Sequence, residues 1–197
     1  MIGVREIEAS LKGSWLLFLN REEGLKWFDL SVVGFWRSFL VLVLLLPLFW
    51  VTSVAEKQLI LTETDLMPED FQATAFWSAR LVGLVLDWLA LPVLLAAVAR
   101  PLGITGTYPA FIAVRNWTSL FVSIPYVLTA CLYLGGVMPG GIMYLSWLCL
   151  LVMILWYRFQ VTRMMLGPSV ALALAIVILD FTLSIFIQTA VDRLMPV

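Results

Sequence analysis

Histidine is missing from this chain of 197 residues. With it go the commonest general base near neutral pH and the commonest protein ligand for metals. Serine–histidine and cysteine–histidine nucleophile pairs are excluded; carboxylate, tyrosine and lysine chemistry is not. Cysteine is nearly missing as well. Cys131 and Cys149 both lie in apolar runs, where a thiol behaves as a small apolar side chain, and two thiols alone complete no metal site. Neither a metal nor a cofactor is therefore expected. Charge is scarce too: 12 basic and 13 acidic residues, a net charge of -1, with no basic stripe. Nucleic acid is not an expected partner, because nothing in the chain tracks a phosphate backbone. The glycine-rich stretches 103–106 (GITG) and 135–141 (GGVMPGG) lack the lysine or the strand–turn–helix context of a phosphate-binding loop. Nucleophile-elbow, zincin and kinase signatures are missing. No catalytic residue is assigned.

Apolar residues fill the space that charge leaves. They make up 62% of the chain, and the mean hydropathy is +1.02. Soluble domains sit at roughly 45–50% apolar. The expectation is an all-α polytopic membrane protein, a bundle of about five transmembrane helices preceded by N-terminal amphipathic interfacial helices. Residues 1–34 form the interfacial segment and 35–197 the bundle.

The spans follow from charge-free runs and their interruptions. No charge falls between Arg37 and Glu56, a run of 18 residues, which is long enough to cross the hydrocarbon core. Span one is placed at 35–55, with Pro47 inside it. The acidic segment 56–72 follows, and Thr64, Asp65 and Pro68 read as a turn leading to a helix start. Span two is placed at 73–99. The 42 uncharged residues from Asn116 to Tyr157 are too many for one span, and the 135–141 turn divides them into spans at 115–134 and 142–158. Span five is placed at 169–190. No cleavable leader is expected: the apolar stretch near Trp15 is short and charge returns at Arg21.

Within residues 1–34, Ile7, Leu11, Trp15, Phe18 and Leu19 recur at helical spacing. Asn20 is positioned to cap a second short helix, with Glu23 as its reciprocal partner. Ser31 is positioned to cap a helix that continues straight into span one. Trp15, Trp27, Phe28, Trp36 and Arg37 are the expected anchors at the membrane surface.

Two carboxylates stand out. Asp87 and Asp180 fall near the middle of spans two and five, where a charge costs about 2.5–3.5 kcal/mol on insertion scales. Arg80 lies two helical turns before Asp87 on the same face. Asp180, Ser184 and Gln188 form a stripe at spacing four. With Asn116 these six residues predict a polar seam between spans two and five, serving either helix registration or ion binding.

Basic residues set the expected orientation. Nine lie before span one or in the connections after spans two and four, and two lie in the alternate connections and the tail. The N-terminus is expected in the cytoplasm and the C-terminus in the periplasm.

The segment from Gly24 through Leu25-Lys26-Trp27-Phe28-Asp29-Leu30-Ser31 to Gly34-Phe35-Trp36-Arg37-Ser38-Phe39 resembles the opening of small alphaproteobacterial inner-membrane proteins. The five-span layout is similar to that of the Yip1-type family. The resemblance implies a bacterial inner-membrane location and a role in membrane organisation, with no reaction. The leading expectation is a non-enzymatic membrane scaffold or accessory subunit, in contact with lipid and with other membrane subunits or itself. The alternative is a small transporter or channel component using the intramembrane carboxylates. An enzyme acting on lipid ranks third.

Overall fold

A computed structural model describes residues 3–64, 69, 71–167 and 169–195. Among the described residues the secondary structure is helical throughout, and five helical segments are long and apolar enough to cross a membrane. The turn expected around 64–68 falls mostly outside the described residues.

The chain opens with α1 (Val4–Phe18). Its buried face is a stripe of small residues, Ser10, Gly13 and Ser14, ending in Leu17. The larger apolar side chains flank that stripe, and Trp15 is half exposed. The small stripe has a reason. The chain reverses into a 3-10 turn (Glu22–Trp27), and the two segments touch backbone to backbone. A Cβ on Gly13 would stand 2.8 Å from the Gly24 carbonyl oxygen, and a Cβ on Gly24 would stand 2.7 Å from that of Gly13. Only glycine permits this approach.

Asn20 does not cap this turn. It takes a left-handed conformation, φ 59°, which asparagine tolerates better than most residues, and its side-chain oxygen accepts from Gln160 Nε2 at 2.9 Å. Arg21 occupies the cap position without a side-chain bond. A lone 3-10 turn has no need of the reciprocal cap that suits a longer helix.

Ser31 does cap α2 (Val32–Ser38), accepting from the Gly34 amide at 3.1 Å. Its own amide donates to Asp29 Oδ1 at 3.1 Å. These Ser31 contacts hold the Asp29 carboxyl below its usual range. The helix does not run straight on. Bonds of the i to i+3 type at Phe39, Leu40, Leu42 and Val43 tighten the chain, and α3 (Val41–Glu63) starts beyond them.

The remaining helices are α4 (Ala73–Val98), α5 (Tyr108–Leu134), α6 (Gly140–Leu166) and α7 (Val170–Leu194). At 1.5 Å per residue, the five helices α3 to α7 are about 34–41 Å long, more than a hydrocarbon core of ~30 Å requires. Several helices overrun their expected ends: α3 reaches Glu63, eight residues past 55, α7 reaches Leu194, four past 190, and α5 and α6 overrun as well. Pro109 stands at the first turn of α5, where a proline costs no hydrogen bond, so the helix begins before Arg115. Gly167, at φ 107°, terminates α6 eight residues beyond the expected end of span four.

Helix α5 is the hub. It packs on α1, α2, α3 and α6, and less on α4. Helix α7 packs on α4 and α6. The backbones of α3 and α4 barely approach each other. They are linked by side chains: Trp50 stacks on Trp77 at 4.1 Å, and Glu56 pairs with Arg80 at 2.8 Å. The collar formed by α1 and the 3-10 turn closes one end of the bundle. Its core joins the bundle core through Leu17, Phe28, Trp117 and Tyr157, and the Tyr157 hydroxyl donates to the Ser14 carbonyl at 2.7 Å.

Candidate functional site: a polar chamber inside the bundle

The stripe on α7 is a ladder of four rungs, since Asp192 extends the expected Asp180, Ser184 and Gln188 by one turn. Helix α4 meets it with Arg80 and Asp87. Arg80 reaches Gln188 at 3.4 Å and Asp192 at 3.9 Å in addition to Glu56. The Ser184 hydroxyl donates to Asp87. Gly83, between Arg80 and Asp87, lets the two helices close: a Cβ there would lie 3.0 Å from Gln188 Nε2. Small residues at such a crossing are the usual means of bringing membrane helices together.

Asp180 faces a different way. Arg115 Nη2, on α5, donates to its Oδ1 at 2.8 Å, and Arg158, on α6, pairs with its Oδ2. The Arg115 and Asp180 side chains are 6% and 8% exposed, so this pair is internal, while Arg158 is 28% exposed. One carboxylate serves two guanidinium groups.

The six residues of the predicted seam are therefore divided. Arg80, Asp87, Ser184 and Gln188 meet at the α4–α7 crossing. Asp180 belongs to the arginine cluster on the α5–α6 side. Asp87 and Asp180 each have partners of their own. Asn116 lies elsewhere: its amide donates to the Ser38 hydroxyl at 3.0 Å, tying α5 to α2. Its neighbour Arg115 turns toward α7, because adjacent residues on a helix point about 100° apart.

The anchors divide as well. Trp15, Trp27 and Trp36 are exposed, and Lys12 Nζ lies 3.8 Å over the Trp27 ring. Phe28 is buried against Gly13 inside the collar, so it is a core residue rather than a surface anchor. Arg37 pairs with Glu6 and pins α2 to α1.

Between α3, α4, α5 and α6 lies a chamber of about 440 Å³ that opens to the surface of the bundle and is lined mainly by apolar groups. That is within the range of small-molecule pockets, roughly 300–1,000 Å³. Glu56, Asp87, Arg115 and Arg158 line it, with the aromatic rings of Phe49, Trp88, Tyr126 and Trp147. A second void beside Asp180 holds only about 20 Å³, little more than the room one water needs.

The chamber's polar groups fall into two kinds. Thr52, Ser119 and Ser123 each donate to a carbonyl of their own helix, so what they offer an occupant is an oxygen lone pair. Two lining residues, Trp88 and Arg115, also carry a buried donor with no partner among the described residues, Nε1 and Nε, and neither atom has surface open to the chamber. Such groups are costly to leave unmade in a dry interior.

Arg115, Arg158 and Glu56 escape the sequence reading because charges mark the ends of apolar runs, and all three stand at such ends. The legible signal was chemical: two carboxylates inside a bundle require cations, and Arg115 and Arg158 are the basic residues next to the longest uncharged run. The chain matches no known protein family, curated protein or solved structure.

Proposed function

We propose that this multi-pass membrane protein binds a small polar molecule within the bilayer, as a transporter or channel component. The observation that carries this reading is the 440 Å³ chamber walled by Glu56, Asp87, Arg115 and Arg158. A scaffold needs helix registration, and the Arg80, Gln188 and Ser184 contacts supply it. It needs no chamber, and close packing is the rule in protein interiors. Charged groups lining a chamber within a membrane are costly, and an occupant that pairs with them offsets that cost.

The bacterial inner membrane, with the collar in the cytoplasm, is the location proposed for this activity. Arg115 and Arg158 belong to the chamber and drop out of the orientation count. Seven basic residues then remain on the collar side against two on the other, so the sign is unchanged.

The test is extraction into native nanodiscs followed by mass spectrometry of everything retained. The wild type is expected to keep a small molecule that Ser123→Phe, which plugs the chamber, releases while the protein stays monodisperse. A stoichiometric protein partner with no small molecule would return the reading to an accessory subunit.

A further inference from the structure

The charges around the chamber are balanced but unevenly placed. At the arginine cluster Asp180 answers one of two guanidinium charges, which leaves an excess of one positive charge. Asp87 has a serine hydroxyl as its partner, and among the described residues no cation lies within ion-pair distance of it. The excess at the arginines and the deficit at Asp87 are equal and opposite, and Arg115 and Asp87 attract each other at a range beyond a direct ion pair. Arg80 answers Glu56 and, at longer range, the half-exposed Asp192 outside the chamber.

An occupant must therefore match two poles and add no net charge to a low-dielectric interior, since an unpaired charge there is the costliest thing to bury. A simple anion would satisfy the arginines and leave Asp87 bare. A simple cation would do the reverse. A molecule carrying one of each fits both.

Hydrogen bonding narrows the class further. At the arginines the groups are guanidinium N–H donors, which call for an acceptor such as a carboxylate or phosphate. Asp87 and the Ser119, Ser123 and Thr52 oxygens offer acceptors, which require N–H. Ser119 and Ser123 follow Arg115 at spacing four on α5, so donors and acceptors line one helix face. The cationic pole must therefore be an ammonium with protons to give, not a quaternary one. Phe49, Trp88 and Trp147 supply an apolar wall for its body.

We infer that the chamber binds a zwitterion with a primary ammonium and an acid group on an apolar body. The ammonium sits at Asp87 and the acid group at Arg115 and Arg158. Two sources present this chemistry: a free amino acid, and an ethanolamine phospholipid headgroup entering between α3 and α4, whose backbones stay apart.

This inference rests on the proposed binding role, and one experiment separates the two. Thermal unfolding of the full chain in phosphatidylcholine nanodiscs is followed with free leucine, its N-acetyl anion or its amide cation. In parallel, phosphatidylethanolamine or phosphatidylglycerol is included in the disc. Leucine or phosphatidylethanolamine is expected to raise the unfolding temperature, and which of them does so names the source. Each single-charge analogue should need at least about tenfold more for the same shift. Asp87→Asn retains an acceptor for Ser184 and should fold. It is expected to lose the zwitterion preference and gain response to the N-acetyl anion. Equal response of the wild type to the anion, or an unchanged preference in Asp87→Asn, overturns the zwitterion assignment and leaves the binding role standing. No response to any of the five probes overturns both.

Discussion

Asp180 is a buried carboxylate on whose charge two arginines depend. Removing that charge in Asp180→Asn strands the buried Arg115 guanidinium. The expected cost is about 3–5 kcal/mol, typical of breaking a buried pair from one side, measured by chemical unfolding in detergent. Asp87→Asn should cost far less, since its one partner is a hydroxyl that can donate to an amide oxygen as well as to a carboxylate. Both aspartates could be read from the sequence, because a carboxylate in an apolar run has no other explanation. Their partners could not. A charge at the end of a run reads as the edge of the membrane, and only the early start of α5 and the late end of α6 carry Arg115 and Arg158 inside.

Helix boundaries moved for a related reason. Apolar runs report where charge is absent, not where the backbone stops being helical. Pro109 at the start of α5 and Gly167 at the end of α6 are the residues that mark those limits. Within the elements, glycine decides which segments can touch. Gly13→Val is expected to push α1 off the 3-10 turn, because the new side chain meets the Phe28 ring, 2.6 Å from the Cβ position. A cost of about 1–3 kcal/mol is typical of overpacking. The readout is faster tryptic cleavage at Arg21 and Lys26, with the transmembrane fragment left intact. Gly83→Val should instead separate α4 from α7 and lower stability without loosening the collar. The helical period of α1 was readable, but its orientation was not. The sequence view favours the large apolar residues as the buried face, whereas a close backbone crossing selects the small ones beside them.

At the scale of the whole molecule, the five-span layout was legible, because bilayer thickness imposes a length that composition reveals directly. The chamber was not, since it arises from the way α3, α4, α5 and α6 fail to meet, and no single segment records that. Both cysteines lie on the outer surface of the bundle. Cys149, nine residues into α6, should resist a water-soluble maleimide in intact membranes and react once the protein is unfolded in detergent. Reaction in the intact membrane would place that face against water and overturn the span assignment. The balance of Arg115, Arg158, Asp87 and Asp180 has a further consequence. A transmembrane voltage does work on net charge, about 2.3 kcal/mol per elementary charge per 100 mV. Four charges that cancel, accepting an occupant that also sums to zero, give the field nothing to act on. Energising or depolarising the membrane should leave occupancy of the chamber where it was, so that concentration alone decides whether it is full.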